Sequence, residues 1–252
     1  MHEIFLGAEH IFTVGAFAVT NTYLLTLAVV FTLSAGVLLA GRKMALSPSG
    51  GQNAVEAALE GFLGFTEPVF GSRASAEKYL PFIATIFFFV LFANWAGILP
   101  GVGSVGFFEE GRHVFVPLFR SPASDLNFTL SLAAITVVAT HIFGIRARGA
   151  KLHISRFLNF SGPIEFFVGI LEFISEIAKI ISFSFRLFGN VFAGEVLLVV
   201  IAFLAPYLAP LPFLFLEIFV GFIQAFVFAM LATVFTAISV AGHGEHEQGV
   251  EI

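Results

Sequence analysis

Three runs of about 20 apolar residues, at 22–40, 79–99 and 126–145, are each long enough to cross a hydrocarbon core of about 30 Å as a helix. Between the first two lies a polar stretch, 51–71, in which Glu56, Glu60 and Glu67 alternate with Ala, Leu and Phe. That near-helical spacing predicts an amphipathic helix lying at the membrane interface. After the third run, Arg146, Arg148, Lys151 and Arg156 make a basic loop. A much longer apolar stretch, 163–204, runs into Pro206, Pro210 and Pro212, which turn the chain, and a last run at 213–240 ends in a polar tail. The pattern predicts an all-α polytopic membrane protein. It has one integral membrane domain over 1–252, five membrane segments and an interfacial helix.

The fourth segment is anomalous. Its 42 residues reach about 63 Å as a helix, roughly twice the hydrocarbon core. It must bend, near Gly169, Gly189 or Gly194, or lie far from the bilayer normal. Such inclination is set by packing against neighbours, so the last two segments are expected to form a long, steeply tilted hairpin laid across another protein surface.

Composition fits lipid as solvent: 58% of the 252 residues are hydrophobic and 12% charged, against about 25% charged in soluble domains. The absence of Cys excludes disulfides and thiol chemistry. A net charge of −5 without a basic stripe gives nucleic acid no footing, and no cleaved leader is expected at the N-terminus. With the loop after the first span inside, Arg42, Lys43, Arg73, Lys78 and the four basic residues after the third span become cytoplasmic. Only Arg112 and Arg120 then lie outside. This bias places the N-terminus outside and the C-terminus in the cytoplasm.

Charges inside the spans carry the chemistry. Arg186 stands in the middle of the long segment, where an arginine costs about 2.5–3.5 kcal/mol on insertion scales and cannot lose its charge. Glu172, Lys179 and Arg186 recur every seven residues on one face, and Asn190 follows Arg186 by four. Glu195 follows by nine, on the opposite side. Glu217 and Gln224 share a stripe of the return helix. By depth, Glu172 and Glu176 lie toward the cytoplasm, and Glu195 and Glu217 outward of Arg186. Carboxylates at membrane depth are proton-path groups by default, so two acidic half-paths are interrupted by a fixed cation. Lys179 is expected to pair with Glu172 or Glu176, or to snorkel. Asp125 and Asn127 open the third span as an N-cap or as a polar outer vestibule. His141 is an interhelical hydrogen-bonding residue or a bystander. His243 and His246 belong to a polar tail, so no metal site is expected.

The stretch SFRLFGNVFAGE resembles the signature of the membrane stator of F-type ATP synthases, subunit a, whose RLFGN-x-x-AGE core is highly specific. ANWAGILPG, PLFRSPASDLNFTLSLA and IQAF agree in order, so the resemblance spans roughly residues 79–240. It implies that Arg186 faces a rotating c-ring of helical hairpins bearing mid-membrane carboxylates. It implies further that Glu195 and Glu217 serve an outer half-channel, that Gln224 sits opposite the arginine, and that Glu172 matches a cytoplasmic-side carboxylate. Some members carry histidine at one of the two outer positions, whereas this chain has glutamate at both. The implied partners are the c-ring, peripheral-stalk b subunits, the F1 sector indirectly and the lipid bilayer. The implied location is the bacterial inner membrane. No cofactor and no catalytic role of its own are expected, since the chain has no nucleotide-binding loop. The alternative is a self-contained proton-coupled secondary transporter, against which stands the lack of an internal repeat. An intramembrane hydrolase finds no GxSxG, HExxH or paired aspartate inside a span.

Overall fold

The computed structural model describes residues 7–15, 17–42, 50–108, 115–157 and 162–241. Lys43, Arg112, His243 and His246 lie outside them. The helices are α1 (Asn21–Gly41), α2 (Gly50–Phe70), α3 (Arg73–Ile98), α4 (Leu126–Arg148), α5 (Ala150–Ile154), α6 (Pro163–Leu204) and α7 (Pro210–Ala241). Five of them, α1, α3, α4, α6 and α7, are long and apolar enough to cross a membrane. Two short antiparallel hairpins accompany them: β1 (His10–Val14) with β2 (Phe17–Thr20), and β3 (Gly106–Phe108) with β4 (Phe115–Pro117).

Local chemistry sets the helix ends. The side chains of Thr20, Ser72 and Asp125 accept the backbone N–H of Tyr23, Ser75 and Asn127, capping α1, α3 and α4. The Ser72 cap starts α3 six residues ahead of the apolar run. Gly149, at φ +88°, ends α4 in a conformation that L side chains rarely adopt. Pro163 and Pro210 open α6 and α7, where a missing N–H costs nothing. Prolines 206 and 210 thus bracket the turn, while Pro212 sits within the first turn of α7.

The helix α6 runs unbroken through Gly169, Gly189 and Gly194. It pairs antiparallel with α7: Lys179 lies over the Phe235 ring at 4.7 Å, Phe183 packs on Phe228 at 4.7 Å, and Asn190 bonds Gln224. The core lies between this hairpin and α3 and α4, centred on Ile83, Phe87, Val90, Val137, Leu187 and Phe228. A stripe of Ala225, Ala229 and Ala232, none of them exposed, brings α7 close to its neighbours, as small residues do between membrane helices. Asn94 and Trp95 of α3 donate to the carbonyls of Gly221 and Ile218 at 3.0 and 3.1 Å. Thr129 of α4 shares a 3.0 Å hydrogen bond with Ser184 of α6. The amphipathic helix α2 turns Phe62, Leu63 and Thr66 inward, with Phe62 against Phe87 and Phe65 edge-on to Phe226. Its Glu56 and Glu60 stay exposed.

Candidate functional site

Arg186 lies on an exposed face of α6. Ser182, Phe185, Arg186, Gly189, Asn190 and Ala193 are all exposed, recurring at three- and four-residue steps that make one open stripe. Its guanidinium donates to Ser182 Oγ at 3.4 Å. Among the described residues no carboxylate lies within ion-pair distance of it. An arginine's planar fork suits a carboxylate, and the described residues supply none. Asn190 does not bond Arg186, as the four-residue spacing allowed. It donates from Nδ2 to Gln224 Oε1 at 2.8 Å. Gln224 is buried and its Nε2 has no partner among the described residues. It stands across the hairpin one turn beyond the arginine.

Toward the end of α6 that meets the proline turn, Glu195 and Glu217 line one cavity of about 440 Å³. Gly194 packs closely on Glu217: a Cβ there would stand 3.1 Å from Glu217 Oε1. Residues 97–104, from the last turn of α3 onward, share the wall with Arg120, Glu9 and apolar side chains of α6 and α7. Arg120 is buried. It donates to Gly7 O at 2.6 Å and Ser124 Oγ at 3.2 Å, and its Nε lies 3.9 Å from Glu195 Oε1. Glu9 is held by Asn21, which donates to Glu9 Oε2 at 3.1 Å. One oxygen of each cavity carboxylate, Glu195 Oε2 and Glu217 Oε2, is buried without a partner among the described residues. Such oxygens fit water or an incoming proton donor.

Asp125 and Asn127 are not part of that wall. Asp125 caps α4 and accepts Thr22 Oγ1 at 3.0 Å, tying α1 to α4. Asn127 is exposed on the first turn of α4.

The opposite end of the hairpin holds the other acids. Glu172 pairs with Arg156, and Glu176 Oε1 accepts Lys179 Nζ at 2.7 Å while its Oε2 lies 3.3 Å from His141 Nε2. His141 is therefore an interhelical hydrogen-bonding residue, and Lys179 pairs with Glu176. The seven-residue recurrence put Glu172, Lys179 and Arg186 on one face. The tertiary structure divides that face, with the acid and lysine turned partly inward and the arginine left open.

Sequence reasoning missed Arg120, Glu9 and His153 as site residues. Arg120 counted only as an outer charge, although it lies in the PLFRSPASD stretch just before α4. Glu9 and His153 reach their places through tertiary contacts across more than 100 residues and through the α5 turn, which leave no local signal.

Known proteins resemble this chain over most of its length. The family model described as ATP synthase A chain matches residues 22–237. ATP synthase subunit a of Campylobacter jejuni subsp. jejuni serotype O:23/36 is 41% identical over 203 residues, covering 79% of this chain and 81% of its own. That of Campylobacter fetus subsp. fetus is 36% identical over 98% and 100% of the two chains. That of Moorella thermoacetica is 34% identical over 92% and 96%. The matched region contains Arg186 and every carboxylate placed above except Glu9. The chain belongs to the ATP synthase subunit a family, the membrane-embedded, proton-translocating subunits of the F0 sector of F-type ATP synthase.

Proposed function

We propose that this protein is the stator half of a rotary proton path. An outer half-channel through the Glu195–Glu217 cavity and an inner one at the Glu172–Glu176 end deliver protons to and from the carboxylates of a rotating c-ring. Arg186 blocks direct passage between them, with Asn190 and Gln224 as its polar neighbours. The observation that carries this reading is the exposed Arg186, without an acidic partner among the described residues, between two acidic clusters at opposite ends of one helix hairpin. A ring carboxylate passing that open stripe supplies the missing partner.

At about 4 Å and an effective dielectric near 20, the arginine favours the ionised form of that carboxylate by about 4 kcal/mol, about three pKa units. It therefore strips the arriving proton and stops protons hopping straight through. Each proton falling through 100 mV supplies about 2.3 kcal/mol to bias rotation. The protein is not catalytic by itself, the nucleotide chemistry belonging to the F1 sector, and peripheral-stalk b subunits hold it against the ring. The basic residues after α1 and α4 place those loops in the cytoplasm, the N-terminus outside and the C-terminus inside the bacterial plasma membrane. The length of α6, about 63 Å, supports a steeply inclined hairpin following the curved ring.

The test is Arg186→Ala in the assembled complex, in inverted vesicles. ATP-driven proton pumping is expected to be lost while the chain still inserts. Coupled pumping at the wild-type rate overturns the reading.

A further inference from the structure

The α4–α5 end of the bundle contains a line of hydrogen-bonding groups that neither the motifs nor the acidic clusters account for. Helix α5 folds back on α4, so that His153, 2% exposed, places its Nε2 3.0 Å from His141 Nδ1. The other nitrogen of His141, Nε2, lies 3.3 Å from Glu176 Oε2, and Glu176 Oε1 accepts Lys179 at 2.7 Å. At the far end, His153 Nδ1 is buried and has no partner among the described residues, and the same holds for Ser239 Oγ of α7. The two approach each other over Gly144: a Cβ there would stand 2.8 Å from His153 Nδ1 and 2.3 Å from Ser239 Oγ.

One set of tautomers satisfies this line. Glu176, ionised beside Lys179, only accepts, so His141 donates from Nε2. Its Nδ1 must then accept, so His153 donates from Nε2 and keeps Nδ1 bare. A proton arriving at His153 Nδ1 forms an N–H bond there and releases the Nε2 proton to His141 Nδ1. The N–H bond at His141 Nε2 then breaks as an O–H bond forms on Glu176. One proton enters, one is delivered, and the reverse sequence carries it out. Glu172 lacks this connection, being engaged by Arg156.

From this geometry we infer that His153 and His141 relay protons between the inner aqueous phase and Glu176. The inference rests on the stator reading above and names the inner path within it. The groups facing the relay are Glu172, Glu176 and Lys179 of α6, Arg148 of α4, Arg156 after α5 and Ser239 of α7. Burial, then His141, Arg148 and Arg156, push the His153 pKa below its ordinary value against the opposing pull of Glu176. A neutral ring with a bare Nδ1 is what the relay requires. Phe157, Phe166 and Phe173 line the groove of about 590 Å³ in which His141, His153 and Glu176 lie, so the groove's aromatic side offers no competing proton acceptor.

The experiment is His153→Gln and His141→Gln in complete ATP synthase reconstituted into liposomes, with pH varied separately on each side. Glutamine retains a donor in place of Nε2 but cannot pass a proton between two ring nitrogens. Proton transport is expected to fall about tenfold or more. Its dependence on inner pH should change while that on outer pH stays, and imidazole on the inner side should restore part of the His153→Gln rate. A His153→Gln enzyme with the wild-type rate and inner-pH profile overturns the relay, and so does a slowing that is uniform in pH and unrescued by imidazole. If the variants do not assemble, nitrogen-15 solid-state NMR of histidine in the wild-type complex decides. Both rings should carry Nε2–H with Nδ1 bare, and a His153 Nδ1–H contradicts the relay. Arg186→Ala in the same liposomes separates the two levels. Normal coupled pumping there removes the stator reading, whereas its loss beside an unchanged His153→Gln removes only the relay.

Discussion

The two acidic ends of the α6–α7 hairpin are built on opposite principles. At the proline-turn end, Glu195 and Glu217 share about 440 Å³ of cavity, and one oxygen of each is buried without a partner among the described residues. The nearest cation to Glu195 among the described residues, the Arg120 guanidinium at 3.9 Å, is beyond hydrogen-bonding distance. At the other end, Glu172 and Glu176 are each in direct contact with a cation, Arg156 and Lys179, and Glu176 is also close to His141. Space manages negative charge at the first end, and side chains manage it at the second. A cavity with unsatisfied oxygens suits water and rapid proton exchange. A paired network suits directed transfer, and breaking one member leaves a partly buried charge behind.

That contrast predicts unequal consequences. Glu217→Gln removes a proton carrier without removing any ion-pair partner. Coupled pumping should fall by about 100-fold with normal amounts of assembled complex, as read by ATP-driven acidification beside native gels. Pumping within a few-fold of wild type would mean that the cavity is not on the path. Arg156→Ala should do the reverse. Both members of its pair are mostly buried, at 17% and 21% side-chain exposure, so loss of the cation should destabilise the fold by about 1–3 kcal/mol. The thermal midpoint of the extracted complex should drop, while the surviving molecules pump at nearly the wild-type rate.

Gly194→Ala sharpens the comparison at the open end. Its methyl group would stand 3.1 Å from Glu217 Oε1, so the carboxylate must move by a few tenths of an ångström. A two- to five-fold slowing is expected, an order-of-magnitude figure for misplaced transfer groups, with little change in assembly. The smallest effect belongs to Glu60, a fully solvated control. Arg73 holds its carboxyl below the usual carboxylate range, mainly through their hydrogen bond. A depressed folded pKa contributes stability above the unfolded value and loses it as pH falls through the folded one. Solvent screens so exposed a pair. Glu60→Gln should therefore leave both the thermal midpoint and its acid dependence unchanged, and a clear shift would show that exposed pairs carry more weight here than burial suggests.

Much of this was legible in the residue pattern. Helices α1, α3, α4, α6 and α7 announce themselves by apolar runs that only a membrane rewards, and Arg186 stands out because its charge cannot be shed at that depth. The grouping of Glu195 with Glu217 followed from their positions on either side of the proline turn. Other features depend on contacts that no local pattern encodes. Arg120 enters the Glu195–Glu217 cavity because β4 and the turn before α4 fold over the end of α3. Glu9 arrives on a hairpin too short to show a period. Gln224, expected across the hairpin from Arg186, bonds Asn190, one turn along α6 from the arginine, and that contact has no local signal. His153 sits in a five-residue helix whose basic neighbours suggested only a cytoplasmic loop.

The central claim is that the path from each face stops at Arg186, and sided labelling tests it most directly. Single cysteines at 195, 217 and 176, in assembled complex in right-side-out and inverted vesicles, are exposed to a small membrane-impermeant thiol reagent. The account predicts that 195 and 217 react only from the outer face and 176 only from the cytoplasmic face. Labelling of all three from a single face would contradict it.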